Sequence, residues 1–146
     1  VSKPLVFRLY PEKGRTLYVR VVVHDTLSAM RARSQDLMAH GISADFVGRR
    51  CYGFANEWVV WNIDGPQARR DPCVAEVNLA RRYCTIATVA HELLHATFAW
   101  ARRVRLDLSR LHPLVRDMDI EERICDAHDA LCEGFTTRAT AAGLFP

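Results

Sequence analysis

His91-Glu92-Leu93-Leu94-His95, set in the apolar run "TIATVAHELLHATFAW" from Thr85 to Trp100, is the stretch of this chain whose residue types and spacing read most directly as chemistry. On an α-helix, residues four apart lie on one face a single turn apart, so both imidazoles can reach one ion about 2 Å from each nitrogen. Glu92 sits about 100° further round, where a carboxylate can take a proton from a metal-bound water without ligating the metal. Burying His, Glu and His together with no cation would cost several kcal/mol in desolvation. The pattern therefore predicts a metal site that activates water against a carbonyl, with Glu92 as general base.

A catalytic zinc site needs a third protein ligand and an open water position. After His95 the candidates are Asp107, His112, Glu121, Glu122, Asp126 and His128. Asp119 and Glu122, three apart at a helix start, also fit a capping box. By helical geometry Glu121 points nearer than Glu122 to the apolar stripe of Ile124, His128 and Leu131.

The H-E-x-x-H pattern together with the later "EERICDAHDAL" resembles the zincin metallopeptidases of the gluzincin type. The resemblance implies Glu122 as third ligand, with Glu121 the alternative, and Asp126 as support for a zinc-bound histidine. The metzincin extension is absent, since Ala96, Thr97 and Phe98 follow His95. SprT-like proteases take a third histidine, which would be His112, but the usual His-Gly is here His112-Pro113. In kind, the chain is similar to small ImmA/IrrE-like and phage-encoded metallopeptidases, over about a third of its length.

What the resemblance implies is a hydrolase: a zinc-dependent metalloendopeptidase with Zn²⁺ on His91, His95 and Glu122. Its oxyanion donor would be Tyr52, Tyr83, His128 or an arginine, left open here. An edge strand would hold the peptide substrate extended, and "FANEWVVWN", with Trp58 and Trp61, is the candidate. The implied fold is α+β and minimal zincin-like, a small twisted β-sheet packed on the active-site helix and a second, C-terminal helix. The alternative is a zinc-binding regulatory module, phage or mobile-element derived, that binds a partner protein without turnover. A nucleic-acid-associated protease is a third reading. A zinc nucleotide deaminase is excluded, because neither H-x-E nor P-C-x-x-C occurs.

Local patterning places these residues on elements. "LVFRLY" and "TLYVRVVVHDT" read as strands around the turn "PEKGR". "LSAMRARSQDLMAH", Leu27 to His40, reads as an amphipathic helix ended by Gly41. "CYGFANEWVVWN" is a second β region, "DGPQARRDP" a loop, and "CVAEVNLAR" alternates as a half-buried strand would. Cys84 to Leu111 lacks Gly and Pro and predicts one long helix, frayed after Arg105. "DIEERICDAHDALCEGF" predicts another, capped by Asp119 and ending near Gly134.

The chain of 146 residues is 49% hydrophobic, enough for one core, so residues 1–146 are expected to form a single domain. Its apolar runs are too short to span a membrane, and no signal pattern opens it, which predicts a soluble cytoplasmic protein. A net charge of +3 with scattered arginine doublets does not predict nucleic-acid binding. The five cysteines are odd in number and lack a C-x-x-C pair, so reduced thiols are expected, Cys125 and Cys132 as core fillers.

Overall fold

β1 (Leu5–Leu9) and β2 (Tyr18–His24) form an antiparallel hairpin, with Phe7 opposite Val21. Between them the chain turns through Gly14, whose φ of +74° suits a residue without a Cβ. The structure is a computed structural model that describes residues 3–39, 53–57, 72–112, 114 and 117–145. After β2 come α1 (Leu27–Ala39), β3 (Gly53–Glu57), β4 (Cys73–Ala80), α2 (Ile86–Arg103) and α3 (Met118–Ala141). Trp58, Trp61, Tyr52 and Cys51 lie outside the described residues.

The four strands make one mixed sheet in the order β1-β2-β4-β3. β4 runs parallel to β2 and antiparallel to β3. All eight residues of β4 are buried, which corrects the half-buried reading of "CVAEVNLAR". The strand is central and covered on both faces, so Glu76 and Asn78 are interior groups. One face, with Phe7, Leu9, Val19, Val21, Val77 and Leu79, packs on Leu93, Trp100, Leu131 and Phe135 of α2 and α3. Beyond β4, Phe54 and Ala80 cluster with Met30 and Leu37 of α1.

Beneath α1 a polar chain crosses the sheet. His24 Nε2 meets Asn78 Oδ1 at 2.8 Å, Asn78 Nδ2 donates to Glu76 Oε1 at 3.1 Å, and Arg33 Nε donates to the same oxygen at 2.9 Å. Burial works to raise the Glu76 carboxyl. Hydrogen bonds from Arg33 and Asn78, with the charges of Arg33 and Arg20, outweigh it and hold the group below its ordinary value.

α2 starts where Thr85 Oγ1 accepts the Thr88 N–H, and it ends sooner than expected. Arg105 takes a φ of 59°, and Leu106 N–H returns to Ala101 C=O at 2.9 Å. That left-handed cap normally falls to glycine, and Arg105 holds it at some cost in backbone strain. A separate turn of 3₁₀ helix follows at Leu108–Leu111. α3 is capped by Asp117 rather than Asp119. Its carboxylate accepts from Asp119 N–H and Ile120 N–H. The helix passes through Gly134 and stops at Gly143, whose φ is +67°.

Candidate functional site

α2 buries its Leu93, Ala96 and Trp100 stripe and carries the His91-Glu92-His95 triplet across two different surfaces. Glu92 is buried, 8% exposed, against β3, while His91 and His95 are exposed. This corrects the expectation that the three polar groups are buried together, and with it the desolvation argument for a cation. The two imidazoles do converge, with Nε2 to Nε2 at 3.2 Å and the rings edge to face at 82°.

The Glu92 carboxylate accepts the Ala55 N–H of β3, tying helix to strand. Burial pushes the Glu92 carboxyl up, and the nearby His91 and the Ala55 hydrogen bond only partly oppose it. A carboxyl raised in the folded state keeps its proton where the unfolded chain has already lost it. Its ionisation therefore takes stability away as pH rises above the ordinary value of 4.5. Glu92→Gln, which keeps an oxygen for Ala55, is expected to raise Tm at about pH 7 and to match wild type at about pH 4 by calorimetry.

Gly53 permits this close seating of β3 on α2. A Cβ there would stand 3.0 Å from Glu92 Cγ and 3.0 Å from Leu79 Cδ2. Gly53→Ala is expected to cost about 1–3 kcal/mol in urea unfolding.

The other predicted residues lie elsewhere. Thr97 Oγ1 meets His128 Nδ1 at 3.3 Å, and Arg123 sits over the Trp100 ring at 5.5 Å. α3 thus runs back along α2, with its first turns against the far end of α2. Glu122 falls roughly two turns, about 12 Å along the axis, past His95. Glu122 and Asp126 are exposed, Glu121 is half-buried, and His112 accepts the Leu114 N–H at 3.2 Å. None joins His91 and His95: among the described residues no group of three His, Cys, Asp or Glu side chains is placed to hold a metal ion.

No protein-family model, curated protein or solved structure matches the chain. The zincin resemblance is accordingly corrected, along with what hung on it: the gluzincin fold, the Zn²⁺ cofactor, the metalloendopeptidase activity and the zinc-binding regulatory module. What stands is a small α+β fold with a mixed sheet and three helices among the described residues. No helix among the described residues is long and apolar enough to cross a membrane.

Sequence reasoning passed over one grouping. Cys132 lies 3.6 Å from His128 Nε2 and lines an apolar cavity of about 400 Å³ between α2 and α3. The i, i+4 spacing of His128 and Cys132 was the available signal, whereas Cys125 and Cys132 were expected as core fillers, and Cys125 is exposed.

Proposed function

We propose that this protein is a polypeptide-binding module and that His91 and His95 form the face that holds its partner, with Glu92 behind them fixing the helix that carries them. The imidazole pair carries the reading. With Nε2 atoms 3.2 Å apart, one neutral ring donates and the other accepts. Whichever ring donates, the two Nδ1 atoms are left as one donor and one acceptor. The two point away from one another, so each can take a separate peptide N–H or C=O of a partner.

Two further features support it. Glu92 fixes α2 against β3, so the pair stands on packed elements rather than on a loop. Leu94, between the two histidines and 41% exposed, offers apolar contact beside the polar one. Glu121, Glu122 and Asp126 have no part in this face. We place the protein in a reducing compartment such as the cytoplasm, which agrees with Cys73, Cys84, Cys125 and Cys132 standing outside any disulfide.

The test is selection from a random peptide display library on the full chain, followed by titration of selected peptides. Two net hydrogen bonds contribute about 1–3 kcal/mol, so His91→Ala with His95→Ala should weaken binding by about fivefold to a hundredfold. Amide resonances of residues 91–95 should shift on titration. Peptides that bind the double variant equally well, or a library that yields none, would refute the assignment.

A further inference from the structure

Cys132 differs from the other described cysteines in what its thiol faces. Cys73 and Cys84 point at backbone carbonyls, those of Ala75 at 3.4 Å and Ala80 at 3.6 Å. Cys125 is exposed. The Cys132 sulfur lies 3.6 Å from an imidazole nitrogen.

The hydrogen bonds behind that contact fix its polarity. Thr97 Oγ1 spends its single proton on Leu93 C=O at 2.8 Å, so at its 3.3 Å contact with His128 Nδ1 it can only accept. Nδ1 therefore carries the ring proton, and Nε2 turns a lone pair toward Cys132 Sγ. The result is a thiol, a base within reach of its proton, and a third group that orients the base, the arrangement that activates a nucleophile. Burial raises the Cys132 thiol and the charge of Asp129 raises it further, so the resting group keeps its proton and needs the base.

Cys132 also lines the cavity of about 400 Å³, whose other walls include Ile86, Val89, Phe135 and Phe145. That volume is at the small end for a ligand pocket, and its lining selects hydrocarbon. The walls come from the first turns of α2, from α3 and from Phe145 beyond it, and neither His91 nor His95 is among them.

We propose that Cys132 is a site of S-acylation, with the acyl hydrocarbon seated in this cavity and an acyl thioester as donor. Cys132 Sγ forms a bond to the thioester carbonyl carbon as its proton passes to His128 Nε2. The bond from that carbon to the donor sulfur then breaks, and the departing thiolate takes the proton from His128. A thiol and a thioester become a thiol and a thioester, with no oxidant or reductant needed. Thr97 acts as a positioning residue through the His128 tautomer.

The experiment incubates the full chain with decanoyl-CoA or acetyl-CoA and reads intact mass and the modified peptide. One decanoyl group is expected, on Cys132 and released by hydroxylamine, added at least about tenfold faster than acetyl. His128→Ala should slow it about a hundredfold. Added imidazole should restore part of the rate in His128→Ala and none in Cys132→Ser, a response that a purely structural role for His128 would not give. If His128→Ala does not fold by circular dichroism, the chain-length comparison on wild type decides. Equal rates for the two donors, acylation of Cys125 as fast as Cys132, or a folded His128→Ala at wild-type rate would overturn the proposal.

Discussion

Glu76→Ala is expected to lower the unfolding free energy by about 3 kcal/mol, read by urea denaturation at neutral pH. The carboxylate is 1% exposed and accepts from Arg33 Nε at 2.9 Å and Arg33 Nη2 at 3.2 Å, with Arg20 at 3.6 Å. Its removal strands the fully buried Asn78 amide, which has only Glu76 as described acceptor. Arg33 is 29% exposed and keeps Asp36 at 2.8 Å, so it recovers part of the loss through water and that partner. Glu76→Gln retains an acceptor and should cost less. The pH dependence follows from the depressed carboxyl. Its stabilisation is present in full above the ordinary value of 4.5 and is lost as pH falls through the lower folded-state value. Wild type should lose stability on acidification across that window, and Glu76→Gln should lose less.

Trp100→Ala is expected to cost about 3–5 kcal/mol, the largest single loss in the core. Trp100 is 0% exposed among the residues of the main cluster. Its ring also faces Arg123 at 5.5 Å, and Arg123 Nη2 pairs with Glu12 at 2.7 Å. Removing the indole therefore opens a cavity and takes away a seat for the start of α3. Chemical denaturation should show the loss in midpoint, and hydrogen exchange should show α3 protection falling most over residues 118–124. Trp100→Phe, which keeps an aromatic face, should cost about half as much or less.

The elements whose sequence signals are local were the legible ones. β1, β2 and α1 lie close to where alternation and helical period put them, because each needs only neighbours a few residues away. The burial of β4 was not legible. Glu76 and Asn78 look like a solvent face until Arg33, 43 residues earlier, is seen to cover them. The start of α3 was ambiguous for a related reason. "RDMDIEER" offers two aspartates as caps, and the Arg110 guanidinium 3.1 Å from Asp117 lies too far back to enter a local reading. Gly134 read as a helix end because glycine permits a stop without compelling one.

At the site, the i, i+4 convergence of His91 and His95 follows from helical geometry and is present. Which turn of α3 faces which turn of α2 is decided by contacts such as Thr97 with His128. Spacing along the chain does not encode that offset. It separates Glu122 from the histidines, and it brings Cys132, with His128 beside it, to the cavity.

The mixed sheet has a consequence for the order of events in folding. β1 and β2 are neighbours in sequence and can zip as a hairpin on the microsecond scale. The parallel pairing of β2 with β4 sets Tyr18 against Cys73, so the whole of α1 and β3 must be looped out before a single hydrogen bond repays the closure. Because β4 is also the strand on which β3 pairs, the sheet cannot grow outward from its hairpin in chain order. The slow step is the arrival of β4, after which both faces close together, so substitutions in the early hairpin and in Val77 or Leu79 should slow refolding, where those in β3, which pairs afterwards, mainly quicken unfolding.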